Sequence, residues 1–439
     1  MIPQSFTRLL IGYDKPVERK FHIEPNLRHL RAYLAVSDSG SVQRAAGKLH
    51  LTQSSLSRAV QQLERQLGLA LFERTRRGMI PTEFGAILSQ RVRRAMVHLD
   101  TVERELIAEH AKAGTVRYPS GFSNKVTRRE LSAFLAIASS RTERAAAQQL
   151  GLSQPAMTQA LRDLECLVGE TLFVRSARGM VVTPFGDILL RRAKLVFAEV
   201  TAASNDIANR VCGITGRIVV GVLPQAGAPL IARAVNLLLK DHPAVQVVMV
   251  EGTYRSLIDE LLCGDIDLIV GGLNHPPIGE VVQDHLFDDE QAIVVRKGHA
   301  LTSRKKLSLQ DLSGFEWVVP RRGTPARKHF DEIVKAAAIE IGAHPVETDS
   351  LLTRRALLLD SDRVALFSRR QVLIEEAAGL LAILPLKIDK TAIPVGIHLR
   401  ADALPSAGAQ SFVKHLRAIS AAFLSTGQSS HHGPSSSQG

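Results

Sequence analysis

Cysteine is scarce in this chain: Cys166, Cys212 and Cys263 are widely spaced and form no C-x-x-C. An odd, sparse set excludes a disulfide framework and points to reduced thiols in a cytoplasm, with burial the expected fate of each. No run of about 18 apolar residues occurs, which excludes a membrane-spanning helix. The opening "MIPQSFTRLLIGYDKPVERK" has no apolar core followed by a small-residue cleavage site, so export is not expected. The signatures G-x-S-x-G, G-x-G-x-x-G, H-E-x-x-H and the P-loop are missing, and the 15 histidines never fall at i, i+3 or i, i+4. Neither catalysis, nor a cofactor, nor a metal site is therefore expected. Aromatics make up 5% of residues against 45% apolar, which suits aliphatic, helix-rich cores.

An even charge balance is also missing. Residues 1–212 hold 31 Lys plus Arg against 19 Asp plus Glu, whereas 213–439 hold 24 of each. The whole net charge of +12 thus lies in one half of a 439-residue chain long enough for two to four domains. Segregated positive charge favours a polyanionic partner, because neutralising phosphates releases condensed counterions.

That basic half says the same thing twice. Shifted by 101 residues, 30–85 aligns with 131–186 without a gap and with 23 identities in 56 positions. Two copies are too few for a solenoid, so each must be a small domain in itself. In each, a helical stripe (Leu30, Tyr33, Leu34, Val36; Leu131, Phe134, Leu135, Ile137) precedes a short helix capped by Ser41 or Thr142. After "HLT" or "GLS" a third helix begins, capped by Thr52 or Ser153, with Pro155 where the first turn tolerates a missing N–H. This order is that of a helix-turn-helix.

The outer face of the third helix carries Gln53, Ser54, Ser57, Arg58 and Gln61, matched by Gln154, Pro155, Thr158, Gln159 and Arg162. Gln pairs bidentately with adenine, Arg with guanine, and Ser or Thr with either. A solvated helix face is the alternative for either helix alone. "LFERTRRGMIPT" and "LFVRSARGMVVT" then read as tight hairpins, placing Arg74, Arg76 and Arg77, and in the second copy Arg175 and Arg178, for phosphate or minor-groove contact.

The order A-A-x-x-L-x-x-[ST]-Q, L-E-x-x-x-G-x-x-L-F-x-R, R-G-M and T resembles the winged helix-turn-helix of LysR-type transcriptional regulators. The second copy has the S-Q-P-A of that family at Ser153–Ala156. Two departures stand out. The family normally has one such domain, and neither copy fits everywhere: Ser54-Ser55 replaces Pro-Ala, and Arg141-Thr142 replaces Gly-Ser. Long helices follow each wing, with Phe84, Leu88, Val92, Met96, Leu99, Val102 and Leu106 in the first and Phe185, Leu189, Ala193, Val196 and Val200 in the second. In the family such a linker helix dimerises the DNA-binding part; packing within its own chain is the other possibility.

From Gly216, short β-branched runs stopped by Gly or Pro alternate with helical stretches, which argues for a parallel sheet covered by helices. The arrangement resembles the two-lobed α/β effector domain of the same family, itself like a periplasmic binding protein. The resemblance implies two all-α winged helix-turn-helix copies (26–85, 127–186) with linkers (86–126, 187–212). An effector domain at 216–425 follows, lobe one being 216–289 plus 385–425 and lobe two 290–384, and 426–439 is expected to be a disordered tail. Ligands in open α/β sheets sit beyond strand carboxyl ends near helix N-termini. That places Pro224, Gln225, Ala226 and Thr253 in one lobe and Thr324, Asp349 and Ser350 in the other as candidates, with ordinary loop residues the alternative.

The expected protein is a cytoplasmic, non-enzymatic regulator binding double-stranded DNA and a small-molecule effector, a sugar or organic acid, as a homodimer or homotetramer. A chain with two units needs only a dimer to present four, with Ala113–Asn124 setting their spacing. An architectural DNA-bridging protein of low specificity and an enzyme fused to a DNA-binding module remain alternatives.

Overall fold

The structure is a computed structural model that describes residues 21–24, 26–76, 78–112, 121–223, 227–273, 278–388 and 392–429. The first copy runs α1 (Leu27–Ser39), α2 (Val42–Leu49), α3 (Gln53–Leu67), β1 (Phe72–Thr75), β2 (Gly78–Pro81) and α4 (Glu83–Lys112). After a short α5 (Phe122–Lys125) the second repeats the order as α6 (Arg128–Ser140), α7 (Glu143–Leu150), α8 (Gln154–Val168), β3 (Phe173–Ser176), β4 (Gly179–Val182) and α9 (Pro184–Cys212). Helix starts fall where hydroxyl side chains accept an early backbone N–H: Ser41, Thr52, Thr142, Ser153 and Thr183 all do so.

The copies agree in their contacts as well as in their elements. Tyr33 and Phe72 stack with ring centroids 5.2 Å apart, and so do Phe134 and Phe173. The Leu71 N–H donates to Glu64 at 2.9 Å, the Leu172 N–H to Glu165 at 2.8 Å. The hairpin glycine is explained by its neighbour. A Cβ on Gly78 or Gly179 would run into the carbonyl oxygen of Gly40 or Arg141, against which the wing packs. Phe21 and Phe122, also 101 positions apart and both buried, carry the repeat beyond its ungapped core.

The linker helices find their partner inside the chain. On α4, Leu88, Val92, Ala95, Leu99, Val102 and Leu106 follow the alternating four-three spacing of a coiled-coil seam, and all are fully buried. Their counterparts on α9, Leu189, Ala193, Val196, Val200, Ala203 and Ile207, are buried with them in one core. The pair is antiparallel, because Glu83 at the start of α4 bridges Arg210 near the end of α9, while Glu105 bridges Arg192. Arg91 meets Asp206 at 2.7 Å. Arg91 and Arg192 are 101 positions apart, and so are Glu105 and Asp206, so the same ion pair occurs twice about a local two-fold. This pair, rather than residues 113–124, fixes the two heads. Residues 113–120 of that segment lie outside the described residues, and the rest leads into α5, whose Phe122 is buried.

Two five-stranded sheets form the neutral half. Lobe one orders β6 (Val245–Glu251), β5 (Gly216–Val222), β7 (Leu268–Gly272), β14 (Ile393–Arg400) and β8 (Val281–Asp289). Its helices are α10 (Ala228–Asp241), α11 (Tyr254–Cys263) and α15 (Ala407–Ser429). Lobe two orders β11 (Val346–Glu347), β10 (Trp317–Val319), β12 (Val364–Ser368), β9 (Gln291–Arg296) and β13 (Leu381–Ile383), with α12 (Pro325–Ala336), α13 (Leu351–Leu359) and α14 (Leu373–Ala377). The sheets are mixed rather than parallel: β5 pairs parallel with β6 and β7, while β14 runs antiparallel to β7 and β8. The chain enters lobe two through β8 and returns through β14, and β14 alone runs against the other four strands. Two further expectations are corrected. α15 continues to Ser429, past the expected start of the tail at 426, and its remainder from 430 lies outside the described residues. Cys166 and Cys212 are exposed, since they occupy the polar face of α8 and the end of α9.

Each copy has one helix cap of the wrong chemistry. Gly40 and Gly151 sit at φ 63° after their helices, but the equivalent caps Arg141 and His50 hold φ 61° and 51° with a Cβ. A side chain in the left-handed region costs about 1–2 kcal/mol, partly offset by the chain entropy that glycine adds to the unfolded state. Arg141→Gly and His50→Gly should each stabilise their head by about 0.5–1 kcal/mol in urea unfolding, whereas Gly179→Ala should destabilise it. A neutral or destabilising Arg141→Gly would contradict the strain.

Candidate nucleic-acid interface and effector cleft

The apolar side of α3 (Leu56, Ala59, Val60, Leu63) is buried against α1, which turns the opposite side outward. Gln53, Ser54, Arg58 and Gln61 are exposed and Ser57 half-buried. On α8 Gln154, Pro155, Gln159 and Arg162 are exposed and Thr158 half-buried. The wings hold Arg74 and Arg76, and Arg175 and Arg178, all exposed; Arg77 lies outside the described residues.

The two faces differ electrostatically. On α8 the Thr158 hydroxyl donates to Glu143, Gln159 Nε2 donates to Asp163 at 2.7 Å, and Arg175 lies 3.8 Å from Glu143. The first copy has Val42 and Gln62 at those acidic positions. Its donors are left without these acceptors. The sequence carries the same signal, since residues 26–80 balance to +6 and 127–181 to +2.

Both linker helices are tied to lobe one by charged side chains that sequence reasoning did not single out. Arg91, 3% exposed, binds Glu199 and donates to the Leu404 carbonyl at 2.9 Å. Arg94 bridges Glu199 at 2.8 Å and donates to the Asp402 carbonyl. Lys194 pairs with Asp265 at 2.6 Å, both nearly buried, and Arg191 with Glu280 at 2.8 Å. Where the local two-fold places Glu199 on α9 it places His98 on α4. Burial pushes that imidazole down to about 4 and keeps it neutral. The available signal was a pair of arginines inside otherwise apolar stripes, repeated at 91 and 192.

Of the cleft candidates, Thr253, Thr324 and Ser350 are the N-caps of α11, α12 and α13, each accepting a backbone N–H at 3.2 Å. Thr324 also donates to the Arg321 carbonyl at 2.8 Å, and Asp349 pairs with Arg321 at 3.1 Å, so these two are joined through one arginine. Pro224, Gln225 and Ala226 lie outside the described residues, just before the N-terminus of α10. A groove of about 650 Å³ along α12, lined by Arg322, Thr324, Arg327, Lys328 and Asp331 among others, draws only on lobe two and is not the space between the lobes. One helical turn behind Ser350, and on the same side of α13, stands Arg354. It stacks 4.2 Å over the Phe367 ring and donates to the Leu366 carbonyl, while its Nε is buried without a partner. Burial pulls this guanidinium down to about 10 against the opposing charge of Asp349, and among the described residues no carboxylate lies close enough to form an ion pair with it.

The lobes are joined where β8 passes into β9. The Ser368 hydroxyl donates to the buried Asp289 carboxylate, and Arg370 lies 3.7 Å from Asp289 and 4.4 Å over Phe287. The 3-10 turn Arg369–Val372 packs on α10. Among the described residues no group of three His, Cys, Asp or Glu is placed to hold a metal ion, and no helix is long and apolar enough to cross a membrane.

Comparison with known proteins decides the family. The bacterial regulatory helix-turn-helix domain of the lysR family matches twice, at 27–86 and 128–187, and the LysR substrate binding domain matches 213–421. The chain is 32% identical over 396 residues to the HTH-type transcriptional regulator GalR of Pseudomonas putida, covering 90% of this chain and 97% of that one. The chain belongs to the LysR family of bacterial transcription regulators. It is 30% identical over 279 residues to the regulator PcaQ of Agrobacterium fabrum, covering 63% of this chain and 90% of PcaQ. The fold matches a full-length OxyR variant from Pseudomonas aeruginosa with TM-score 0.51 at 20% identity, over 67% of this chain and 95% of that one. The aligned stretch leaves out too few residues of this chain to miss either helix-turn-helix altogether. As a LysR-type regulator the chain binds DNA and a small-molecule effector and acts as an oligomer; it is not an enzyme.

Two expectations follow. If the first head supplies more of the DNA affinity, Arg58→Ala should relax discrimination at one base pair by about 1–3 kcal/mol and exceed the effect of Arg162→Ala. Arg76→Ala should weaken all sequences alike and flatten the slope of log affinity against log salt by about one unit. The reverse ranking of Arg58 and Arg162 would contradict the assignment.

The hinge supplies a pH test. Burial pushes Asp289 up to about 6, against the opposing pull of Ser368 and Arg370. A carboxyl raised in the folded state contributes stability that is full below the unfolded value near 4 and lost as pH rises through 6. Asp289→Asn keeps an acceptor for Ser368 and removes that loss. Relative to the native chain it should gain on the order of 2–3 kcal/mol between pH 4 and 7, read by urea unfolding. A difference independent of pH would refute it.

Proposed function

We propose that this cytoplasmic regulator reads specific DNA sequences through the exposed faces of α3 and α8, with the wing arginines on the backbone. We further propose that an organic acid bound between the lobes controls it. Two helix-turn-helix heads locked by α4 and α9, and tied to lobe one through Arg91, Arg94 and Lys194, support the reading. An effector that prefers one lobe arrangement shifts the equilibrium by its differential affinity, and these buried ties carry the change to the heads. Of the two effector classes expected from the sequence, a sugar or an organic acid, the chemistry of this cleft favours the anion. Helix N-termini at Thr253 and Ser350 present partial positive charge, and the half-buried Arg354 keeps an Nε without a hydrogen-bond partner and forms no ion pair among the described residues, although the Asp349 carboxylate acts on it from farther off.

Titration calorimetry of the full chain against a panel of carboxylic acids and neutral sugars tests this. Carboxylates should bind and sugars should not. Arg354→Gln should weaken the acid by tenfold or more, roughly 1.4 kcal/mol, while leaving effector-free DNA affinity intact. Binding of a neutral sugar, undiminished in Arg354→Gln, would overturn the anionic assignment. An architectural DNA-bridging role would instead appear as a footprint without sequence preference.

A further inference from the structure

We infer that one chain is the complete two-half-site reading head of this regulator, and that the duplex it prefers is directional, with two unlike half-sites in a fixed order. The inference rests on the regulator reading above and goes beyond it. A head assembled from two identical subunits is symmetric and matches a palindrome, because operator symmetry mirrors protein symmetry. Here the two-fold is local and joins two different sequences.

Three observations carry it. First, the apolar seam of each linker helix is spent on the other. Leu88, Leu99 and Leu106 on one helix and Leu189, Val200 and Ile207 on the other are buried together in one core. The outward positions of α4 near its centre, Arg93, Val97 and Asp100, are exposed and offer no second seam. Second, the ion pairs Arg91–Asp206 and Arg192–Glu105 set the heads about a local two-fold, so both reading helices are positioned by the same contact.

Third, the two reading faces are not equivalent. Each carries a single guanidinium at the central positions, but Arg58 corresponds to Gln159 and Arg162 corresponds to Gln61. The arginine is therefore displaced by three positions, about 4.5 Å along the helix at 1.5 Å per residue. That exceeds the base-pair step of about 3.4 Å. A guanine contact made by Arg58 in one half-site thus has no counterpart at the same base pair of the other. Asp163 beside Gln159, where the first copy has Gln62, adds a second difference. The break in symmetry continues behind the heads, where His98 stands in place of Glu199 and lobe one is tied by different residues on the two helices, Arg91 and Arg94 on α4 and Lys194 and Arg191 on α9.

The test is selection of bound duplexes from a random pool by the full-length chain. Native mass of the complex on the shortest duplex that retains full affinity then counts the chains. The expected result is one chain for each pair of unlike half-sites, however many pairs the assembly covers. A larger assembly on several such pairs leaves the asymmetry within each pair. Arg58→Ala should lower discrimination by roughly 5- to 150-fold at one half-site only, and Arg162→Ala at the other only. The double variant Arg58→Gln with Gln61→Arg gives both heads the second copy's pattern, and should select two halves with the guanine contact at matching positions. All three changes are on exposed positions, so folding is checked by unaltered urea unfolding. Two chains sharing one pair of half-sites, or a single substitution altering both halves alike, would overturn the inference while leaving the regulator reading in place. If the native chain selects no preferred sequence, the regulator reading itself fails, and this inference with it.

Discussion

The antiparallel seam between α4 and α9 is the contact on which the rest of the molecule depends. Twelve aliphatic side chains meet along it, each larger one worth about 1.5–3 kcal/mol on burial, and charged pairs close its ends and centre. The Arg91–Glu199 pair is almost wholly buried. Breaking such a pair leaves an uncompensated charge and costs about 3–5 kcal/mol, so the register is specified as well as stabilised. Because the seam lies within one chain, the separation of the two reading helices is a property of the fold and not of concentration.

From that seam the functional asymmetry follows. Duplication gave both copies hydroxyl N-caps at the same places, the same hairpin glycine and an aromatic pair at the same separation. The positions that differ are the outward ones: the reading residues, the acidic neighbours Glu143 and Asp163, and the face of α9 that receives lobe one. Lobe one is thus continuous with the head through buried ion pairs, while lobe two connects through the crossing strands at Asp289 and Ser368. An effector that draws the lobes together acts on a hinge whose far side is already fixed to the DNA-binding unit.

Much of this was legible in the sequence, and the reason is periodicity. The ungapped shift of 101 residues marked two equal domains, hydroxyl caps marked helix starts, and the stripe Leu88, Val92, Leu99, Val102 and Leu106 marked a helix in need of a partner. The partner's identity was not legible, because a seam written twice pairs equally well within or between chains on apolar pattern alone. Arg91 and Arg192 carried the missing information as charges inside apolar stripes. The cleft was harder to read. Its candidates come from four separate loops with no shared period; Thr324 and Asp349 proved to be engaged through Arg321, while the half-buried Arg354 gave no local sign of its setting. Strand direction in the sheets was misread for a similar reason, since a short β-branched run looks the same whichever way it is paired.

The central claim, that the linker helices pair within a single chain, is open to a direct distance measurement. With the native cysteines removed, spin labels at the exposed positions 97 and 211 sit on α4 and α9, where antiparallel pairing places Val211 opposite the start of α4. The labels are then separated by about 20 Å along the seam at 1.5 Å per residue. Diluting the doubly labelled chain into an excess of unlabelled chain should leave that distance and its amplitude unchanged. Loss of the signal in proportion to dilution would show that the seam joins different chains, and would contradict the account.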